Sequence, residues 1–426
     1  MDLLYVPTQT LSVTGWERTA KVPHQLAKGL GMPGMARIVA AALLPATALA
    51  QIDAATVGQA LVQPQQVELT DAAYATDPFE LVFGTTTLQT PGATFSTRTF
   101  GGGVPGPTLI FAVGATNKAK FTNAMPASPA DEAHDHNAYG NPSSTNMHTH
   151  GLHIPHEVPG DDVKIVIGPA TSFNYEWEVP ADHLPGTHWY HPHLHGSTAL
   201  QTGGGAHGMI VIRDSAGDVP DWLIATPEIQ LVVHVVPQED TTALDVIEGS
   251  SGTGTPVTQA SGSTNLVLVN GQNQPVISMA NGVWYRWRMV FVSVHHWAML
   301  SASGCEFGVL AKDGIYLYDA PRASDYLKFA SGNRVDALIR CTADTVLAID
   351  PTAAGGRRRR TQNAGGGAEE EMGAQTIATI TVTGVDASAS GGTLASKQFS
   401  ATMPAYLNDL REVEVHGSKD LEIAGT

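Results

Sequence analysis

Alternating apolar and polar positions dominate the chain after its first fifty residues. The segment SFNYEWEV, residues 172–179, places Phe173, Tyr175, Trp177 and Val179 on one side and polar side chains on the other. Successive side chains of a β-strand point to opposite faces of the sheet, so this period of two predicts a half-buried strand.

Further β-rich runs follow at roughly regular spacing, and each is bounded by Gly, Pro, Asn or Asp. They are PTLIFAVG, HGMIVIRD, IQLVVHVV, TNLVLVNGQ, RVDALIRC, VLAID and TIATITVTG. No amphipathic helix of ordinary length stands out beyond residue 60. The 44 glycines and 26 prolines punctuate short strands, a pattern typical of antiparallel sandwiches. The predicted fold class is all-β.

The strands fall into two blocks, which suits a chain of 426 residues at the usual ~100–200 residues per domain. The first block spans residues 67–214 and the second spans residues 223–385. Residues 386–426 begin like a linker and lead toward a further domain. No internal sequence repeat is obvious.

Composition excludes one large class of partner. The net charge is −17 and only 15% of the residues are charged, and such an acidic surface repels nucleic-acid backbones. The basic run of residues 357–360 is followed at once by three glutamates at 369–371 within a glycine-rich segment, which indicates a solvated loop.

The N-terminus predicts export. Residues 1–50 form an extension whose apolar stretch, residues 38–50, follows Arg37 and ends in Ala-Leu-Ala, so cleavage is expected near Ala50. The stretch is shorter than the ~20 residues of a membrane span and fits a secretory signal. There are two alternatives: translation starts at Met32 or Met35, or the segment is an uncleaved signal anchor.

Two cysteines, Cys305 and Cys341, are too few for thiolate-rich zinc or iron–sulfur sites. The sequence leaves open whether they form a disulfide.

Histidines are concentrated in one region, because 12 of the 17 lie between His134 and His207. HTHG contains His148 and His150, and WYHPH contains His191 and His193. In a strand, residues i and i+2 share a face, so two such strands side by side would bring four ring nitrogens together. Imidazole suits copper, zinc, iron and nickel. Of the other histidines in this region, His195 is the most plausible additional ligand.

These residues resemble a known family. HTHG, the aromatic strand, PGTHWYHPH and HGMIVIRD resemble the first cupredoxin domain of multicopper oxidases, the group of laccases, ascorbate oxidases and bacterial copper-efflux oxidases. LVLVNGQNQPVI, WYRWRMV, SASGCEFGVLAKDG and GNRVDALIRC are similar to the family's middle domain. The resemblance implies two Greek-key cupredoxin-like β-sandwich domains in tandem.

The resemblance also implies a copper site with defined roles. His148 would bind the single copper of a trinuclear cluster, and His150, His191 and His193 would bind the coupled pair. Asp161 falls where the family has an acidic residue near the cluster's water. Charge supplies an independent reason for an acid, because two dipositive ions ~5 Å apart repel by ~13 kcal/mol at an effective dielectric of 20. The acidic residues within sequence reach are Glu157, Asp161, Asp162 and Asp182.

The implied activity is one-electron oxidation of phenolic or metal-ion substrates, coupled to reduction of dioxygen to water. The family's His-x-x-His-x-His and His-Cys-His motifs are not found in the sequence. We therefore expect half of a trinuclear site, no blue copper site and no third family domain in this chain. The remaining ligands would come from a third cupredoxin domain, in cis or in trans, or from an oligomer.

Two alternatives differ in class. One is a non-catalytic secreted copper-binding or interaction protein that keeps a partial site. The other is a single-metal β-barrel dioxygenase of the cupin type, which usually has a glutamate about four residues after its His-x-His pair. Glu157 lies seven residues after His150, and two paired motifs exceed what one metal needs.

Overall fold

A computed structural model of the protein describes residues 50–91, 94–128, 140–236, 265–353 and 370–401. The predicted signal segment before Ala50, the basic run at 357–360 and the end of the tail after residue 401 lie outside the described residues. Strands are the main secondary structure of this part of the chain, and they form two sandwiches within one compact unit.

The first sandwich consists of two five-stranded sheets. Its outer sheet contains β1 (Ala50–Asp53), β3 (Phe79–Gln89), β4 (Thr94–Phe100), β6 (Ala115–Asn123) and β8 (Thr171–Val179). Its inner sheet runs in the order β2 (Gln66–Glu68), β5 (Thr108–Phe111), β10 (Gly208–Ile212), β9 (Gly186–His191) and β7 (His148–His150).

The second sandwich consists of an eight-stranded and a six-stranded sheet. The larger sheet contains β11 (Glu228–Val236), β12 (Leu266–Val269), β13 (Gln272–Asn273), β15 (Tyr285–Val292), β17 (Cys305–Lys312), β18 (Ile315–Tyr316), β20 (Arg322–Ser324) and β22 (Arg334–Cys341). The smaller sheet contains β14 (Val276–Ala280), β16 (His296–Ser301), β21 (Leu327–Phe329), β23 (Thr345–Ile349), β24 (Glu370–Glu371) and β25 (Gln375–Thr383). A separate pair joins β19 (Asp319–Ala320) to β26 (Phe399–Ser400).

Helices are short in the described residues: α1 (Thr198–Gly204), α2 (Asp221–Ile224) and α3 (Ser388–Gly391), with 3-10 turns at Ala72–Tyr74 and Leu394–Lys397. None of these helices combines the length and the apolar character needed to cross a bilayer.

One face of the inner sheet of the first sandwich packs on the outer sheet of the same sandwich. The larger sheet of the second sandwich covers the other face, so the inner sheet is buried on both faces. Every residue of β9 and β10 is buried. The contact joins apolar side chains from both sandwiches: Ile110, Trp189, Met209, Val211, Val232, Val290 and Val292. Strands covered on both sides read as continuous apolar runs, which explains the sequence GMIVI of β10.

Charged groups cross the same interface at the start of β9. Thr187 donates to Asp336 Oδ1 and accepts from Arg288. Arg286 and Arg288 both pair with Asp336 and with Asp214, which follows β10. Glu228 and the Tyr316 hydroxyl complete this group, which we call the arginine–carboxylate cluster.

The all-β prediction with sandwich domains in tandem is confirmed. Strand β8 spans Thr171–Val179, and Tyr175, Trp177 and Val179 are buried as the alternation predicted. Cys305 and Cys341 face each other across β17 and β22 and form a disulfide, which resolves the alternative that the sequence left open.

The predicted limits of the two blocks, 67–214 and 223–385, stay predictions, but two segments differ from them. Strand β1 pairs with β3, so the outer sheet of the first sandwich begins before residue 67. The described part of the predicted linker, residues 386–401, packs on the second sandwich instead of leading away from it. Its residues Leu394, Phe399 and Ala401 bury apolar surface beside Trp222 and Tyr316.

Candidate metal centre

Both histidine motifs lie on adjacent strands at one edge of the inner sheet. Strands β7 and β9 are antiparallel, and their register pairs His148 with His191 and His150 with Trp189. Residues directly opposite in an antiparallel pair have neighbouring side chains. The sheet therefore brings the two sequence motifs together although about 40 residues separate them.

Four imidazole rings converge at this edge. One ligand atom from each of His148, His150 and His191 can be chosen so that all three lie within 4.8 Å of one another. His150 Nδ1 is 3.2 Å from His191 Nε2. The His193 ring centroid lies 5.2 Å from that of His148 and 5.9 Å from that of His191. We call these four residues the histidine cluster.

His193 reaches the cluster in a way that strand alternation does not explain. Strand β9 ends at His191 because the next residue, Pro192, has no N–H to donate to the ladder of hydrogen bonds. The backbone N–H of His193 donates to Asn146 Oδ1 at 2.7 Å. The loop after β9 is thus attached to the segment before β7, and it is this attachment that brings His193 to the other rings.

Hydrogen bonds fix which nitrogen of two rings is free. His191 Nδ1 lies 2.8 Å from the carbonyl oxygen of Pro192, which can only accept, so Nδ1 carries the proton and Nε2 carries the lone pair. His148 Nδ1 lies 2.8 Å from Asp161 Oδ2 and donates to it, leaving Nε2 of His148 free in the neutral ring. Metal-binding histidines are commonly oriented in this way through their second nitrogen.

Asp161 makes two contacts with β7. Besides the bond to His148, its Oδ1 accepts the backbone N–H of Thr149 at 2.7 Å. Of the other acids within sequence reach, Asp162 accepts the N–H of Lys164, and Glu157 lies 3.9 Å from the exposed His156. Asp161 therefore orients a ring of the cluster. Its predicted role near the cluster's water stays a prediction.

Burial lowers the pKa values of three of the four rings, those of His150, His191 and His193. Desolvation, helped by the nearby Arg334 cation, lowers the pKa of His150 to about 3. Desolvation also holds the pKa of His191 well below its ordinary value and lowers that of His193, with the neighbouring histidines adding to both effects. Neutral imidazoles with free lone pairs are the form in which histidine binds a metal.

Residues of the second sandwich pack against the strands that carry the histidine cluster, and the sequence did not predict this contact. A side-chain carbon on Gly314 would lie 2.3 Å from His188 Cε1, and one on Gly151, directly after His150, would lie 2.4 Å from an Arg334 nitrogen. Both glycines have positive φ angles. Backbone from both sandwiches approaches His188 so closely that only glycine fits there.

The other histidines of this region differ in setting. His153, His156 and His195 are exposed, and the prediction that His195 adds a ligand stays a prediction. His188 and His207 are fully buried, and neither ring has a hydrogen-bond partner in the described part of the chain. His207 packs edge-to-face on His234 with ring centroids 4.6 Å apart. His134 and His136 lie outside the described residues.

Comparison with protein families gives one match, to the family described as multicopper oxidase, over residues 84–217. Laccase-2 of Botryotinia fuckeliana is 23% identical over 295 residues, which cover 67% of this chain and 47% of that protein. Multicopper oxidase MmcO of Mycobacterium tuberculosis is 31% identical over 124 residues, which cover 29% of this chain and 20% of that protein. The chain spans about half, or less, of the length of the curated relatives it matches.

Solved structures agree on the fold. A multi-copper oxidase from Pseudomonas thermotolerans aligns with a TM-score of 0.54 at 20% identity, covering 83% of this chain and 71% of that one. A multicopper oxidase from Campylobacter jejuni, described as a metallo-oxidase, also aligns with a TM-score of 0.54 at 20% identity, covering 79% and 65%. Residues 84–217, which contain both histidine motifs, match the multicopper oxidase family, so this region of the chain is similar to that family.

Proposed function

We propose that the chain is a copper-binding oxidoreductase of the multicopper oxidase type, with His148, His150, His191 and His193 as copper ligands. The observation that carries this proposal is the convergence of four imidazoles: ligand atoms of His148, His150 and His191 lie within 4.8 Å of one another, and the His193 ring centroid lies 5.2 Å from that of His148. The proposed reaction is one-electron oxidation of phenolic or metal-ion substrates, coupled to the reduction of dioxygen to water. The four histidines supply half of a trinuclear site.

The donor set fits copper. Imidazole nitrogen is a ligand of intermediate softness that suits copper. Because Asp161 and the Pro192 carbonyl accept hydrogen bonds from Nδ1 of His148 and His191, the Nε2 atoms of these rings are the nitrogens that carry the lone pairs. His150 and His191 bring two ring nitrogens within 3.2 Å of each other, and a cation bound between neutral rings would meet two lone pairs instead of a second positive charge.

The chain's own residues orient and shield the site. Asp161 holds the His148 ring and the β7 backbone at once. Trp189 stacks on His191 with ring centroids 4.1 Å apart and covers the buried side of the cluster. Bound copper would supply the one-electron transfer and the dioxygen chemistry, while these residues keep the ligand rings correctly turned.

Copper binding by the full chain tests the proposal directly. The purified chain is stripped with a chelator and reloaded, and its copper content and paramagnetic resonance spectrum are measured. His191→Ala should abolish most specific copper binding because it removes a central donor, whereas His156→Ala should not change it, since that ring lies outside the histidine cluster. Equal copper content and identical spectra in both variants would refute the assignment.

Asp161→Asn tests the orienting contact. The asparagine amide carries no negative charge, so its hydrogen bond to the His148 ring is weaker than that of the carboxylate. Copper affinity should therefore fall by about 10–100-fold, the usual effect of losing such a partner. Competition with a chelator of known affinity measures this. An unchanged affinity would show that Asp161 does not contribute through His148.

One observation favours the alternative of copper binding without catalysis. Both cysteines of the sequence form the Cys305–Cys341 disulfide, so neither provides the thiolate of a mononuclear blue copper site. Oxygen uptake in the presence of a phenol or ferrous iron distinguishes the two functions. Uptake that follows bound copper supports the oxidase, and copper binding with no uptake supports the binding protein.

We further propose that the protein is exported and acts outside the cytoplasm. The signal-like segment before Ala50 supports this, and so does the disulfide, since such bonds persist mainly in oxidising compartments. The proposed partners are a small-molecule or metal-ion reductant, dioxygen, and a third cupredoxin domain or an oligomer that completes the ligand set.

A further inference from the structure

A groove of about 380 Å³ lies on the second sandwich, separate from the histidine cluster. Strands β17 and β20 of the larger sheet form one side of it, and β21 of the smaller sheet forms the other. Its position at the lateral opening between the two sheets leaves it accessible to solvent.

Three basic side chains line this groove. Lys312, Arg322 and Lys328 are all exposed, and none of them forms an ion pair with any residue in the described ranges. Arg322 donates from Nε to the backbone oxygen of Asp319 at 3.3 Å, and its two terminal nitrogens have no hydrogen-bond partner in the described residues. The ammonium group of Lys328 lies 5.2 Å from the ring centroid of Trp297.

This concentration of positive charge is unusual for the molecule. The chain has 40 acidic and 23 basic residues, and several exposed lysines and arginines elsewhere, such as Lys118, Lys120 and Arg213, have carboxylate partners. Unpaired cations around a concave surface attract an anion and hold it more strongly than a flat surface would.

The floor of the groove is apolar. Leu327 and Val335 are buried beneath it, and Leu317 and Tyr326 are partly exposed beside the basic side chains. Small-ligand sites combine such apolar lining with a few polar groups, and 300–1,000 Å³ is about their usual size. An inorganic anion would use the cations and leave the apolar surface uncovered.

We propose that this groove binds a small organic anion, a carboxylate or sulfonate carried on an apolar or aromatic body. The acidic group lies between the basic side chains, and the apolar body covers Leu327, Val335 and Tyr326. This inference goes beyond the proposed copper function and does not depend on it, because no residue of the groove belongs to the histidine cluster.

Calorimetric titration of the full chain with 4-methylbenzenesulfonate tests the proposal. We expect saturable binding at one site, weakened about tenfold by Arg322→Gln and by Lys328→Gln, since each loses a hydrogen bond or an attraction to a charged group. Trp297 fluorescence should change on binding, and Trp297→Phe should remove that change. Lys118→Gln is the matched control: it removes one exposed lysine charge from the first sandwich and should not alter the affinity.

Two further ligands sharpen the test. The uncharged 4-methylbenzenesulfonamide should bind much more weakly because it has no charge, and inorganic phosphate should bind more weakly because it has no apolar body. The proposal is overturned by absent saturation, by equal binding of the sulfonamide or phosphate, or by equal weakening in Lys118→Gln. If binding does not saturate, the lysines serve only to protect exposed sheet edges from pairing with another chain.

Discussion

Strand β9 carries a polar cluster at each end, and the two clusters differ in charge. At its start, Thr187 joins the arginine–carboxylate cluster, in which two buried guanidinium groups meet the carboxylates of Asp214, Asp336 and Glu228. At its end, His191 joins the histidine cluster, where Asp161 is the one carboxylate in hydrogen-bond contact with a ring in the described residues. Both clusters lie at or beside the interface between the sandwiches.

The difference separates a cluster that supports the structure from one that can take a ligand. Opposite charges pair around Arg286 and Arg288, so the cations of that cluster are balanced by its own carboxylates. Burial lowers the pKa values of His150 and His191, and converging imidazole rings are nitrogen donors of the kind that bind a metal cation.

Removing one carboxylate from each cluster should give the largest contrast. Asp336→Ala leaves two buried guanidinium groups without a main partner and should lower the free energy of unfolding by about 3–5 kcal/mol. Asp161→Ala removes hydrogen bonds from a backbone amide and from the His148 ring and should cost about 1–3 kcal/mol. Chemical denaturation of the metal-free chain measures both.

The exposed ion pair between Glu68 and Arg213 is a reference for the size of these two losses of stability. Glu68→Ala breaks the exposed contact with Arg213 and should change the free energy of unfolding by less than about 1 kcal/mol. If Asp336→Ala proved no more destabilising than Glu68→Ala, the arginine–carboxylate cluster would not be the structural support described above.

Acid should distinguish the buried histidines from the buried carboxylates. Burial lowers the pKa of His234 to about 4, whereas histidine in the unfolded chain titrates near ~6.5. Between these values the unfolded chain binds the additional proton, so the free energy of unfolding falls as the pH is lowered, by about 3 kcal/mol for this ring.

Burial alone would raise the pKa of Asp214 and Glu228, but Arg286 and Arg288 hold both below their ordinary values. Their contribution is lost as the pH falls from the range where unfolded carboxyls titrate through the lower pKa values of the folded chain.

Denaturation of the metal-free chain at about pH 7 and at about pH 5 measures this effect. His234→Gln keeps a donor for the carbonyl oxygen of Gly203 and should flatten the pH dependence. A wild-type chain equally stable at both pH values would contradict the assignment of neutral, buried rings.

Gly314 tests how closely the second sandwich is fitted to β9. Gly314→Ala combines an unfavourable positive φ with a contact of 2.3 Å to His188 Cε1, and Gly304→Ala has a similar φ with open space around it. Gly304→Ala should cost about 1 kcal/mol, and Gly314→Ala about 1–3 kcal/mol more, from overpacking. Thermal or chemical denaturation compares them, and equal losses would mean that His188 moves aside without cost.

Local patterns predicted what depends on local geometry. Alternation in β8 identified its buried face, and the two His-x-His motifs identified the strands that form the histidine cluster. Asp161 was identified by resemblance and by the need for negative charge, although its actual contact is with His148. The short helix α1 has no apolar stripe, since TALQTGG is buried mainly through small and polar residues, and the sequence therefore did not indicate it.

Contacts between the sandwiches could not be predicted in this way. Arg334 and Gly314 lie more than 100 positions from His188, and their approach depends on how two sheets pack. The buried arginines of β15 had one detectable signal: Arg286 and Arg288 alternate with apolar residues in YRWRMV, as in a strand with one exposed face. The second face is covered by the first sandwich, and only the assembled structure reveals this.

The pairing of Cys305 with Cys341 has a consequence at the opposite end of their strands. The two cysteines lie directly opposite each other near one end of β17 and β22, and the turn with Gly314 follows the other end of β17. A slip of one residue between paired strands reverses the faces on which their side chains lie. The covalent link disfavours such a slip at the cysteine end, and an irregularity between Val309 and Ala311 then sets the register toward the other end. Oxidation during folding therefore favours the alignment from which the Gly314 turn and Arg334 approach His188.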